Sequence, residues 1–277
     1  MAERVKIPIV RHLTDQDDLT QGRDAGLQAG QEAQVNVITE TLTEEILKGD
    51  YRIILFLTSP KKRSVETASL VNESVTLRIS NIHILQKSIK DLREIDQGSF
   101  ILPADYKPGD ALEGFALAGH VFFHETFSPV QPSLDNLRYR YGDALLQSDG
   151  AYKYPELKQF FKSPGESYRD VQLRVYRQIL ILAQNLDRYG THVKPVIFTH
   201  GQPLQIFKDL QIVSEEILER GFSFDTGQLA RICWDMYNER KPRKRNFGQV
   251  EFVSPQNLTH PEIISLLREE ISFLENL

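Results

Sequence analysis

The chain has 277 residues, 40% hydrophobic and 26% charged, a composition that is typical of a folded globular protein and excludes a disordered or low-complexity chain. Its net charge is −5, from 33 Lys and Arg against 38 Asp and Glu, so it lacks the overall positive charge that binds nucleic acid or anionic lipid. The one cysteine, Cys233, excludes an internal disulfide and a cysteine-based zinc site. We therefore expect neither a nucleic-acid nor a membrane partner.

The residues from Met1 to Val10 contain no long apolar segment of the kind found in a signal peptide. No stretch of the sequence reaches the ~18 apolar residues of a membrane helix. We expect a cytoplasmic protein with a single domain over residues 1–277. The composition does not predict its oligomeric state.

Strands and helices alternate in the first part of the sequence. Val5–Val10 and Arg52–Thr58 are apolar runs, typical of parallel strands that are buried on both faces. Between them, Leu27–Lys48 carries apolar residues three and four positions apart, which predicts a helix. Val65–Val71 predicts a second helix, and Ile82–Leu85 a further strand.

Residues 99–164 have a different character. This segment contains several prolines and scattered aromatic residues, and its hydrophobic residues follow no steady period. We interpret it as an insertion with short helices, similar to a lid, rather than as a second core domain.

Regular periodicity returns at Ser167. The apolar spacing from Val171 to Leu186 predicts a helix, Pro195–Thr199 predicts a buried strand, and Leu204–Leu218 predicts another helix.

The C-terminal part predicts a hairpin followed by a helix. Apolar and polar residues alternate over Ala230–Met236, which favours a half-buried strand. Gly248–Val253 is predicted to pair with it, and a final helix is predicted after Thr259. The whole pattern predicts a three-layer α/β/α fold with a mainly parallel sheet.

Charged and nucleophilic residues follow three of the predicted strands. The first strand ends in Arg11 and His12, the second leads to Arg63 at a helix start, and Pro195–Thr199 leads to His200. Ligands of open α/β sheets bind at the carboxyl ends of the strands, so these side chains should converge. Arginine forks and a helix N-terminus bind phosphate oxygens, and a neutral histidine is a nucleophile toward phosphorus.

Six segments resemble, in order, motifs of the histidine phosphatase superfamily, in the branch of the cofactor-dependent phosphoglycerate mutases and fructose-2,6-bisphosphatases. The resemblance covers most of residues 5–236. The segments are Arg11-His12, Leu19-Thr20 with Gly26 and Gln28-Ala29, Ser59-Pro60-x-x-Arg63-x-x-x-Thr67-Ala68, Leu92-Arg93-Glu94-Ile95-Asp96-Gln97-Gly98, Gly165-Glu166-Ser167 with Arg174, and Thr199-His200-Gly201.

The resemblance implies a phosphoglycerate mutase-like fold and a catalytic role for two residues. His12 would be the nucleophile that becomes phosphorylated. Glu94 would protonate the leaving oxygen and then activate water. Arg11, Arg63 and His200 would hold the phosphoryl oxygens. No metal or other cofactor is implied, and the substrate would be a small phosphorylated metabolite.

Two positions depart from the family pattern. Leu13 stands where the family usually has Gly, and Asp18 where an Asn is common. Residues typical of the mutases are absent after the Arg-His pair, which favours a phosphatase. A mutase of the same fold remains an alternative, as does a catalytically weak relative that binds a phospho-ligand or a protein.

Other motifs are interpreted as structural. His120 and His124 have the i, i+4 spacing of metal ligands in a helix, but no carboxylates accompany them. The basic run 240–245 is interpreted as a solvated loop.

Overall fold

A computed structural model describes residues 6–14, 26–94, 99–100, 161–163, 168–189, 192–221, 225–239, 247–253, 258 and 261–276. The elements in chain order are β1 (Ile7–Arg11), α1 (Glu32–Leu47), β2 (Ile53–Thr58), α2 (Lys62–Arg78), β3 (His83–Ser88), a 3₁₀ turn (Lys90–Leu92), β4 (Ser99–Phe100), β5 (Phe161–Ser163), α3 (Tyr168–Tyr189), β6 (Val193–Thr199), α4 (Gly201–Arg220), α5 (Gln228–Glu239), β7 (Val250–Val253) and α6 (Pro261–Glu275).

The central element of the described chain is a five-stranded sheet in the order β3-β2-β6-β1-β7. The first four of these strands are parallel, and β7 is antiparallel to β1. Side chains alternate between the two faces of each strand, so an apolar run has to be covered on both sides. The predicted three-layer α/β/α fold with a mainly parallel sheet is confirmed.

Helices α1 and α2 cover one face of the sheet. Their buried apolar residues recur at steps of three and four, which forms one stripe along each helix. The core on this face consists of Val10, Leu13, Val35, Ile38, Leu42, Ile46, Ile54, Phe56, Ala68, Val71, Val75, Val196 and Phe198.

Helices α3, α4, α5 and α6 form the layer on the opposite face. They pack on the strand residues that point the other way, including Ile9, Leu57 and Ile197. Helix α4 ends at Arg220, and the next residue, Gly221, has a positive φ of 66° that lets its N–H bond the carbonyl of Ile217.

The strand predicted over Ala230–Met236 is wrong, because these residues belong to α5. Ala230 and Cys233 are buried and Arg231 is exposed, so the apolar residues fit a helical face as well as an alternating strand. The predicted hairpin is therefore also wrong. β7 forms as expected within Gly248–Val253 but pairs with β1, with Val10 opposite Val250.

The start of α5 is held by a buried carboxylate of α6. Glu270 is fully buried, and its carboxylate accepts hydrogen bonds from the backbone N–H groups of Gly227, Leu229 and Ala230 at 2.9, 3.4 and 3.3 Å. Burial raises the pKa of Glu270, and these three bonds oppose the increase. They satisfy N–H groups that α5 cannot pair internally, a tertiary contact that favours the helix at this position.

The start of one helix differs from its predicted position. The helix predicted from Leu27 begins at Glu32, after Gly30 with its φ of 78°. Of the predicted insertion 99–164, the structure describes 99–100 and 161–163, which pair as antiparallel strands β4 and β5. Within the described ranges, no helix has the length and apolar character to cross a membrane.

Candidate active site

The register of two parallel strands places His12 next to His200. Arg11 of β1 lies opposite Thr199 of β6, and the backbone N–H of His12 donates to the carbonyl of Thr199 at 3.0 Å. The residue after each strand is therefore a histidine at the same edge of the sheet. The two ring centroids are 4.9 Å apart with an interplanar angle of 57°, and both side chains are buried.

A single hydrogen bond determines which nitrogen of His12 is available. Nδ1 lies 2.7 Å from the carbonyl oxygen of Leu13. A carbonyl oxygen can only accept, so Nδ1 carries a proton, and Nε2 keeps its lone pair whenever the ring is neutral. The contact with the Leu13 carbonyl thus fixes the orientation of the His12 ring and leaves Nε2 as its other nitrogen.

Leu13 occupies its position without strain. Among the described non-glycine residues, Asn81 alone has a positive φ, so Leu13 does not adopt a conformation that requires glycine. Its side chain is fully buried beside Gly248, where a Cβ would lie 3.3 Å from Leu13 Cδ2. Its N–H donates to Thr67 Oγ1 at 3.0 Å. Packing therefore accommodates a leucine at this position, where the sequence motifs led us to expect glycine.

Both ring nitrogens of His200 contact protein groups. Arg63 Nε donates to Nδ1 at 3.4 Å, and Nε2 lies 2.7 Å from Ser59 Oγ. Burial lowers the pKa of His200 well below its ordinary value, and the nearby His12 and Arg63 lower it further. His200 is therefore a neutral ring in a site with positive charge.

Arg63 is delivered by the first turn of α2. Pro60 follows the end of β2, and α2 begins two residues later at Lys62. Ser64 Oγ donates to the carbonyl of Phe198 at 2.9 Å, which fixes the start of α2 to β6. The Arg63 side chain is only 6% exposed, and it lies beside a helix N-terminus that itself favours anions.

Arg11 lies between an aromatic ring and a glycine. Its guanidinium carbon is 4.7 Å from the ring centroid of Phe247, within cation–π range. A Cβ on Gly201 would lie 3.3 Å from the same carbon, so the absence of a side chain there leaves room for the guanidinium. The Phe247 ring also lies 5.4 Å from the ring of His12.

Glu94 follows a segment that α3 and β6 hold in place. Arg174 Nη1 donates to the carbonyls of Asp91 and Arg93 at 2.6 and 2.8 Å. Thr199 Oγ1, one residue before His200, donates to the carbonyl of Leu92 at 2.7 Å. The backbone leading to Glu94 is thereby connected to the strand that carries His200.

The structure brings Arg11, His12, Arg63 and His200 together, and it connects the Glu94 segment to them. Sequence reasoning gave no role to Ser59, Phe247 or Arg174, although Ser59 and Arg174 belong to motifs that carry the resemblance. The other candidates lie outside the described residues: Asp18, His120, His124, Glu166 and the basic run 240–245.

The arrangement combines two guanidinium groups, the imidazole of His12 and the N-terminus of α2. Such a set suits a phosphoryl group, because arginine and helix N–H groups bind phosphate oxygens and a neutral imidazole can attack phosphorus. In the ranges given above, no three His, Cys, Asp or Glu side chains come together as possible metal ligands.

No protein-family model and no curated protein matches the sequence. Similar solved structures include a phosphoglycerate mutase from Bacillus anthracis, at 17% identity and a TM-score of 0.43, covering 76% of this chain and 82% of that one. A mycobacterial glucosyl-3-phosphoglycerate phosphatase has 16% identity and a TM-score of 0.40, covering 74% and 81%. A phosphoserine phosphatase from Entamoeba histolytica has 12% identity and a TM-score of 0.39, covering 91% and 98%.

Proposed function

We propose that the chain is a phosphomonoester hydrolase that acts on a small phosphorylated metabolite through a phosphohistidine at His12. The observation that carries the proposal is the bond from His12 Nδ1 to the carbonyl of Leu13, within a buried site that contains Arg63 and His200. A neutral imidazole whose tautomer is fixed in this way keeps the lone pair of Nε2 for attack on phosphorus.

In the first step, His12 Nε2 attacks phosphorus and the bond from phosphorus to the leaving oxygen breaks. Negative charge develops on the phosphoryl oxygens and on the leaving group. Arg11 and Arg63 stabilise the phosphoryl charge, and the leaving oxygen takes a proton from the carboxylic acid of Glu94.

In the second step, the Glu94 carboxylate accepts a proton from water, and the resulting oxygen attacks the phosphorus of phosphohistidine. The nitrogen–phosphorus bond breaks, inorganic phosphate leaves, and His12 regains its lone pair. Arg11 and Arg63 stabilise both steps, because the charge on the phosphoryl oxygens is similar in each transition state.

The decisive experiment compares wild type with His12→Ala on an aryl phosphate, with an acid-labile phosphoenzyme measured after rapid quenching. We expect wild type to release phosphate and to form the phosphoenzyme, and His12→Ala to do neither. His83→Ala is the matched control, because His83 is an exposed histidine at the start of β3 and should retain full activity.

Three outcomes would contradict the proposal. Substantial turnover by His12→Ala would exclude His12 as the nucleophile. Faster formation of a phosphate isomer than release of phosphate would indicate a mutase. Binding of phosphate or vanadate by wild type without any turnover would indicate a phospho-ligand-binding protein.

A further inference from the structure

The position of the proton on His200 follows from its neighbour Arg63. The Nε of an arginine side chain can only donate, and it donates to Nδ1 of His200. Nδ1 therefore has no proton, and the single proton of the neutral ring is on Nε2. The lowered pKa of His200, caused first by burial and then by the nearby His12 and Arg63, agrees with a neutral ring.

The proton on Nε2 is directed at Ser59. Ser59 Oγ lies 2.7 Å from Nε2 and accepts this bond, and it also accepts the backbone N–H of Lys61 at 3.2 Å. A hydroxyl oxygen has two lone pairs, and these two donors occupy both. Ser59 therefore cannot accept a further bond, and its own O–H is left to donate.

No acceptor for the Ser59 O–H is recorded among the residues that the structure describes. The Ser59 side chain is fully buried, and a buried donor without an acceptor costs free energy. Ser59 lies between the end of β2 and the start of α2, next to the Arg63–His200 pair. The Ser59 hydroxyl therefore lies among the residues that are proposed to bind the phosphoryl group.

We infer that the hydroxyl of Ser59 donates a hydrogen bond to a phosphoryl oxygen of the substrate, and that His200 acts through Ser59 as a positioning residue. The inference rests on the proposed function, since it assigns a further ligand to the same phosphoryl group. It revises the role that the resemblance implies for His200, because both nitrogens of the ring are already occupied by Arg63 and Ser59. The two hydrogen bonds, from Arg63 to His200 and from His200 to Ser59, orient the Ser59 hydroxyl toward the substrate.

The first test measures the affinity of purified wild type and variants for inorganic phosphate and vanadate by calorimetry, with turnover of an aryl phosphate in parallel. A hydrogen bond to a charged group contributes enough for Ser59→Ala to weaken phosphate binding about 10-fold or more. Ser59→Thr keeps the hydroxyl and should restore most of this affinity. Ser214→Ala is the matched control, since the Ser214 hydroxyl is equally buried but donates to the carbonyl of Leu210 within α4.

The second test requires no change at Ser59. Nitrogen-15 spectra of histidine-labelled wild type, with the His200 signals assigned by comparison with His200→Gln, report which ring nitrogen carries the proton. We expect a neutral His200 ring protonated on Nε2 at pH 7. Protonation on Nδ1 instead would overturn the inference and leave the phosphatase proposal intact.

The outcomes separate the two proposals. If wild type binds phosphate and Ser59→Ala binds it equally well, the Ser59 inference is wrong and the phosphatase proposal stands. If wild type binds neither phosphate nor vanadate and hydrolyses no phosphate ester, the proposed function is wrong and the inference fails with it. If Ser214→Ala weakened phosphate binding as much as Ser59→Ala, the inference would also be overturned, because the effect would then be structural.

Discussion

Arg174 connects the stability of the fold to the placement of Glu94. Its side chain is 5% exposed, and its Nη1 holds the carbonyls of Asp91 and Arg93 at 2.6 and 2.8 Å. Arg174→Met keeps most of the side-chain volume but removes the charge and the donors. Hydrogen bonds from a charged donor contribute about 1.5–3 kcal/mol each, and water can reach part of this segment, so we expect a loss of about 2–3 kcal/mol in the free energy of unfolding.

The same substitution should affect catalysis selectively. Glu94 directly follows Arg93, so releasing the carbonyl of Arg93 allows the acid to move. A displacement of about 1 Å in a catalytic group costs about 10²-fold in rate. We therefore expect Arg174→Met to slow alkyl phosphates, which need a proton on the leaving oxygen, far more than aryl phosphates, which do not.

The assay combines urea unfolding followed by circular dichroism with turnover of an alkyl and an aryl phosphate. Arg177→Met is the matched control on the same helix, because Arg177 is 46% exposed and forms a surface ion pair with Glu275. Such a pair contributes about 0–1 kcal/mol. The reasoning is refuted if the two variants lose equal stability, or if Arg174→Met slows both substrates equally.

Three further predictions concern the site. Glu94→Gln should slow alkyl phosphates about 10²–10⁴-fold and spare aryl phosphates, and equal losses measured for both substrates would exclude Glu94 as the acid. Phe247→Leu removes the aromatic face beside Arg11, so calorimetry should find phosphate binding about 3- to 30-fold weaker, while Phe247→Tyr should bind phosphate as wild type does. Equal phosphate affinity of the two variants would exclude a cation–π contribution. Because the folded state lowers the pKa of His200, it opposes protonation of this ring, and stability should fall as pH decreases below the ordinary value of about 6.5. Urea unfolding at pH 6.5 and 5.5 should show wild type losing about 1 kcal/mol more than His200→Gln, and equal losses would contradict the assignment.

The parallel part of the fold could be predicted because its sequence signals have one interpretation. Ile53–Thr58 is too short and too β-branched to be read as a buried helix, and the main apolar stripe of α1, Val35, Ile38, Leu42 and Ile46, has helical spacing. Residues 230–236 fit both periods, and the choice depends on the fully buried Glu270 that bonds the start of α5. That contact comes from a distant part of the chain and leaves no local signal.

The candidate site follows the same division. His12 and His200 could be expected to meet, because each directly follows a strand of a parallel sheet. Phe247 could not be placed, since its position beside Arg11 depends on β7 pairing with β1 rather than with residues 230–236. The role of Arg174 depends on two backbone carbonyls, which any residues at positions 91 and 93 would supply.

The pairing of β1 with β6 also determines where the chain can change in length. Side chains alternate between the two faces along a strand. Deletion of one residue within β6 would therefore turn His200 to the opposite face of the sheet, while the neighbouring strands β1 and β2 stayed paired with β6. The same holds for β1 and His12. Insertions at the opposite ends of these strands leave the hydrogen bond from His12 to Thr199 in place. We therefore expect variants with a longer or shorter loop before β1 or β6 to keep the site. Single-residue insertions or deletions inside β1 or β6 should abolish the site even where the protein still folds.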